Sequence, residues 1–181
     1  MSRTPRILAL DLSLTQTGYA FEARRTDTGY EDDIMLSGVI RSRQKGWERI
    51  SDIRHHVMQY ASAADVVVIE GYSFGSQGRA VYQIAELGGV IRYSLWMRKI
   101  PYVEVSPSTL KKWATGKGNC GKDEMIASAI RRHGFEGANN NEADAFLLYR
   151  MARSHYSGTG STKAQVEQLE KVEWPETGAW G

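Results

Sequence analysis

Two short runs of uninterrupted apolar residues, Ile7-Leu8-Ala9-Leu10 and Val66-Val67-Val68-Ile69, stand out in a chain whose apolar and polar positions otherwise interleave. Runs of this length, the second of them β-branched, predict strands buried on both faces. Each is closed by an acid, Asp11 and Glu70. After Asp11, Leu12 to Gly18 predicts a turn, and Tyr19-Ala20-Phe21 a returning strand. Asp33 to Ile40 predicts a third strand, with Ile34, Leu36 and Val39 among polar neighbours. The period then lengthens. Trp47, Ile50, Ile53, Val57 and Ala61 recur at helical spacing and predict one apolar face over Gly46–Ala61. Ala80, Ile84, Leu87, Ile91 and Leu95 mark a second long helix. Gly88-Gly89 interrupt it, either as a weak turn or as a place where another helix, from a second subunit, comes close. Tyr102 to Val105 predicts a short strand, and Ser106-Pro107 an N-cap and first turn. Helices follow over Asp123–His133 and from Asn139 to about Arg153, where Asn139 and Glu142 have the spacing of a capping box.

This order predicts a mixed α/β sheet of about five strands with helices on its faces. Ser157 to Thr162 has the composition of a linker, so the chain divides into a domain, 1–153, and a flexible C-terminal tail, 154–181.

Composition narrows the class without choosing a chemistry. A chain of 181 residues can bury a core. A formal charge of +2 is too small to imply nucleic acid on its own, so the placement of basic residues carries more weight. A single cysteine, Cys120, excludes an internal disulfide and suits a reducing compartment; it reads as a passive thiol. The sequence has neither a membrane-span-length apolar run nor a secretory leader, which predicts a cytoplasmic protein. His55 and His56 are helix neighbours about 100° apart and do not share a metal.

The candidate chemistry lies in three acids: Asp11 and Glu70 at strand ends, and Asp144 near a helix start. Clustered carboxylates suit Mg²⁺, a hard cation that prefers oxygen. Two such ions can activate water and stabilise the leaving oxygen in phosphodiester cleavage. From spacing alone, three unrelated surface acids are the stronger reading, since acids at strand ends are common.

Four motifs in order resolve that ambiguity. ILALDLSLTQTGYA, VVVIEGYSF, VEVSPSTLKKWATGKGNCGKDEM and NEADAF resemble the RuvC family of Holliday junction resolvases, above all its phage-encoded branch. The likeness runs from about Arg6 to Ala152 and leaves out the tail. It implies an RNase H-like fold, a homodimer, Mg²⁺ (with Mn²⁺ able to substitute), and paired nicks in four-way DNA junctions. Asp11, Glu70 and Asp144 match the metal-binding acids of that family. Lys111 and Lys122 match basic residues that contact DNA and support catalysis, with Lys122 stabilising the transition state. Tyr72 and Phe74 lie in the loop that carries an aromatic inserted at the junction, and Arg79, Lys112 and Lys117 would hold the DNA backbone.

The likeness fails at a fourth ligand. Where the family has an acid or histidine, this chain has Asn139, Asn140 and Asn141. On a helix Asn140 and Asn141 fall about 40° and 60° from Asp144 and Glu142 about 160° away, so an asparagine there, with Asn141 as the candidate, could offer a neutral oxygen, while Glu142 caps the helix. The competing function is a non-catalytic branched-DNA-binding protein with an impaired metal site. A sugar kinase or ATPase lobe is a poor fit, since the chain has room for one lobe and lacks the glycine of that phosphate loop.

Overall fold

The computed structural model describes residues 4–25, 32–72, 79–137 and 139–176. Its elements are β1 (Ile7–Asp11), β2 (Thr17–Arg25), β3 (Asp32–Ile40), α1 (Gly46–Ala61), β4 (Val66–Glu70), α2 (Arg79–Met97), β5 (Tyr102–Val105), α3 (Pro107–Thr115), α4 (Lys122–His133), α5 (Asn140–Ser157) and α6 (Lys163–Leu169). The strands form one sheet in the order β3-β2-β1-β4-β5. β1 and β2, and β2 and β3, are antiparallel; β1 and β4, and β4 and β5, are parallel. This is the mixed sheet expected from the apolar pattern.

The two uninterrupted runs lie side by side at its centre. Ile7 to Leu10 and Val66 to Ile69 are fully buried, because successive side chains point to opposite faces and both faces are covered. Ile7, Ala9, Val66 and Val68 join the core beneath α3, α4 and α5. Leu8, Leu10, Val67 and Ile69 join a second core beneath α1 and α2.

Helix boundaries follow local chemistry. Ser106 Oγ accepts the Thr109 amide at 3.1 Å, Pro107 opens α3, and Gly116 closes it at φ 85°. α1 has the predicted limits, but Trp47 is 65% exposed and takes no part in the buried face formed by Ile50, Ile53, Val57 and Ala61. It sits in the first turn, before the helix reaches the sheet. His55 is exposed, and His56 Nε2 lies 3.6 Å from Asp52 one turn earlier on the helix. Cys120 is a buried free thiol.

The segment expected to be a flexible tail is folded against the domain as far as residue 176. α5 continues to Ser157, a Thr162–Gln165 capping box starts α6, and Leu169 is buried. Trp174 stacks on His155 with ring centres 4.6 Å apart and donates from Nε1 to the Leu169 carbonyl at 2.9 Å. Apolar anchors spaced along a polar stretch hold it; the linker composition of 157–162 concealed them. Among the described residues no helix is long and apolar enough to cross a membrane.

Candidate metal centre

Asp11 and Glu70 are neighbours because their strands are. In the parallel pair Leu10 lies opposite Ile69, so the next residue on each strand is an acid at the same level. Both share the parity of Ile7, Ala9, Val66 and Val68, and so face the side covered by α5. Asp144 comes from the first turns of that helix. The three carboxylates each offer an oxygen within 4.8 Å of the others.

Burial and mutual repulsion strain this cluster. Burial, then the charge of Asp144, pushes the Asp11 pKa up to about 7, against the pull of Lys122. Asp144 is raised to about 6 by burial, with Lys122 and Lys111 opposing. Glu70 rises well above the usual carboxylate range through burial and through Asp11 and Asp144. An all-oxygen donor set that resists its own ionisation suits a hard divalent cation, whose charge removes the repulsion. The acids border an open cleft whose lining includes Asp11, Glu70, Tyr72 and Pro107.

A family model for crossover junction endodeoxyribonuclease RuvC matches residues 7–133. The chain belongs to the RuvC family. A RuvC from Synechococcus sp. (strain WH7803) is 27% identical over 136 residues, covering 72% of this chain and 85% of that one. One from Brachyspira hyodysenteriae is 28% identical over 155 residues, 83% of this chain and 92% of its own length. Among solved structures, Thermus thermophilus RuvC in complex with Holliday junction substrate superposes with a TM-score of 0.67 at 17% identity, covering 91% of this chain and 97% of that one. The Fowlpox virus resolvase bound to Holliday junction DNA gives 0.56 at 14% identity, over 83% of this chain and 97% of that one. At such identities the structural likeness establishes a shared fold, the mixed sheet flanked by helices. Family membership makes the chain a crossover junction endodeoxyribonuclease, that is, a Holliday junction-resolving enzyme.

In this RuvC-family chain the basic residues expected to contact DNA are spread along the β5–α4 segment. Lys111 is half-buried beside Glu70 and Asp144, and Lys122, the exposed first residue of α4, acts on Asp11 and Asp144. Lys112 is exposed, and Lys117 pairs with Glu124 at 3.1 Å. Arg79 opens α2, but its side chain and all of Phe74 lie outside the described residues. Tyr72 is held against α2. Its hydroxyl donates to the Ala85 carbonyl at 3.2 Å and accepts from Arg92 Nη1 at 2.7 Å, while the Arg92 guanidinium lies 4.7 Å from its ring centre.

The asparagines have jobs at the helix start. Asn139 Oδ1 accepts the amides of Asn141 and Glu142 at 2.9 and 3.2 Å. Asn139 Nδ2 donates to Gln16 Oε1, and Asn141 Nδ2 donates to the Gln16 carbonyl. Only half of the expected capping box forms, because Glu142 turns away and accepts from Ser37 Oγ at 2.7 Å. The β1–β2 turn is thereby fastened to α5. Gly18 completes the contact, since a Cβ there would lie 1.9 Å from the Asn141 carbonyl oxygen.

Sequence reading missed Gln16, Gly18, Arg92 and Glu104. A glycine inside a strand was the one available signal for Gly18, as a mark of close backbone approach.

Proposed function

We propose that Asp11, Glu70 and Asp144 bind Mg²⁺, with Asn141 adding a neutral Oδ1 ligand, and that the protein nicks four-way and other branched DNA in pairs as a homodimer. Mn²⁺ would serve the same oxygen set. The convergence of three half-buried carboxylates between Lys111 and Lys122 carries this reading. A bound divalent cation supplies Lewis-acid polarisation of the scissile phosphate. The chain supplies the rest. The carboxylates would fix where the cation sits, and Leu12 and Pro107 supply apolar wall to the cleft beside them. Lys122 places its ammonium where negative charge develops on the phosphate oxygens, and Lys111 neutralises the acids from the other side. Lys112, Lys117 and Arg79 hold backbone phosphates, and the aromatic that enters the junction is Phe74, while Tyr72 is fixed against α2.

The homodimer reading rests on the outer face of α2. Tyr93, Trp96 and Met97 are exposed, and Tyr93 and Trp96 lie with ring centres 6.0 Å apart. A Cβ at Gly89 on the same helix would meet no atom of the described residues within 4 Å, which leaves that face open to a second helix. A two-fold pair of sites suits the symmetry-related strands of a junction.

The test is cleavage of a synthetic four-way junction with Mg²⁺ and with EDTA, beside Asp11→Asn. Paired nicks that need Mg²⁺ and vanish in the variant support the reading; binding without nicks under Mg²⁺ or Mn²⁺ would return the protein to the non-catalytic class.

A further inference from the structure

The β3–α1 connection forms a second basic strip at the catalytic edge of the sheet, on the side opposite the lysines of α3 and α4. Asp11 pairs with Gly18 across β1 and β2, and Thr17 pairs with Ile40 across β2 and β3. The chain therefore leaves β3 at the edge where Asp11 stands. There it runs Arg41-Ser42-Arg43-Gln44-Lys45, and Arg41, Arg43 and Lys45 are exposed. From Ile34 to Trp47 the sequence holds no acid. Among the described residues none of the three cations has an ion-pair partner, whereas Arg6, Arg92, Lys117 and Arg153 each pair with a carboxylate.

The strip has a fixed shape. Gln44 N donates to Ser42 Oγ at 3.2 Å, Arg49 Nε donates to the Gln44 carbonyl at 2.7 Å, and Gly46 turns the chain at φ 55°. Trp47 follows, 65% exposed, in a groove shared with Leu14 of the β1–β2 turn and Tyr82 of α2. Unpaired cations at alternate positions beside an exposed indole match the backbone-plus-stacking pattern by which proteins hold nucleic acid.

We propose that Arg41, Arg43 and Lys45 bind the phosphates of a DNA arm leaving the cleft on the β3 side, and that Trp47 stacks on a base unpaired at the branch. The identity of the ligand as DNA rests on the resolvase reading; the strip itself rests on register and exposure. A substrate lying across Asp11 then meets cations on both flanks, which fixes the direction of the arm as well as its affinity.

The experiment is binding of a synthetic four-way junction in EDTA over a range of salt, with the full chain and with Arg41→Ala/Arg43→Ala/Lys45→Ala. Each lost phosphate contact removes about 0.9 from the slope of log K against log salt, so the triple variant is expected to lower the slope by about 2 to 3. Trp47→Ala is expected to weaken junction binding several-fold more than binding of an unbranched duplex, with Trp47→Phe restoring most of it. Unchanged melting temperatures confirm that the variants fold. An unchanged salt slope overturns the proposal, as does a wild-type protein that binds no DNA. So does a triple variant that keeps its DNA slope while losing binding to phosphatidylserine vesicles. The two readings fail separately: Mg²⁺-dependent nicking with an unchanged slope removes only the strip, while a reduced slope without nicking removes only the resolvase.

Discussion

The phenol of Tyr72 occupies the space that Gly88 leaves by having no side chain: a Cβ at Gly88 would lie 2.0 Å from Tyr72 Oη. Arg92, one turn further along α2, closes over the ring and binds Glu104 on β5 through two bonds of 2.6 Å. Tyr72 stands two residues beyond Glu70, so this contact fixes the point where the chain leaves the metal centre. Of the two readings for the paired glycines, close approach is the one that describes Gly88, with a tyrosine rather than a helix as the visitor.

Adjacent glycines should therefore respond in opposite directions. Gly88→Ala is expected to destabilise by about 1–3 kcal/mol through overpacking. Gly89→Ala meets nothing within 4 Å and is expected to stabilise the dilute protein by up to about 1 kcal/mol through helix propensity. Chemical denaturation at low protein concentration reads both. Equal effects would mean that Tyr72 does not fill the Gly88 site.

Gly18→Ala should damage the centre without touching an acid. Its Cβ would meet the Asn141 backbone, which can yield only if α5 moves away from β2. Nicking is expected to fall by at least about tenfold, since small displacements of catalytic groups have large effects on rate. Mg²⁺-dependent cleavage and a melting curve, taken together, separate displacement from unfolding.

The pH response of the metal-free protein follows from the raised acids. Folded Asp11 keeps its proton up to about pH 7, whereas an unfolded aspartate loses it near pH 4. Between these values the folded state binds more protons, so stability falls as pH rises through that interval. Mg²⁺ competes with those protons. Its stabilising effect is expected to be larger at pH 8 than at pH 5.5, and Asp11→Asn is expected to raise the metal-free melting point at pH 8 while abolishing nicking. Thermal melts with Mg²⁺ and with EDTA at the two pH values provide the check; a metal-free stability that rises from pH 5.5 to 8 would contradict it.

Asn141→Asp tests the fourth ligand. A carboxylate there should lower the Mg²⁺ concentration for half-maximal nicking, at some loss of stability because the bond to the Gln16 carbonyl is removed. Metal dependence identical to wild type would leave Asn141 as a fastener of α5 alone.

Trp174→Ala should loosen the C-terminal segment. Loss of the His155 stack and the bond to the Leu169 carbonyl is expected to cost about 1–3 kcal/mol, visible as a lower melting temperature and faster proteolysis beyond Ser157.

The features legible in the sequence were those with local causes. The acids closing β1 and β4, the Ser106-Pro107 start of α3 and the limits of α1 each follow from a few neighbouring residues. What escaped depends on contacts between distant segments. Gly18 meets Asn141, Tyr72 meets Gly88 and Arg92, Glu142 meets Ser37, and Trp174 meets His155. Trp47 matched a helical period yet points outward, because period marks a face and not how much of that face the sheet reaches. The role of the asparagines was hidden for the same reason: their partner, Gln16, lies in the sheet's first turn, 123 residues before Asn139.

That first turn and α5 come from opposite ends of the chain. The strands bearing Asp11 and Glu70 can pair while a ribosome is still making the second half, but Asp144 arrives only when α5 docks. A polypeptide that ends before α5 consequently holds two acids and no complete centre. Synthesis order thus withholds the third carboxylate until α5 has been made and docked.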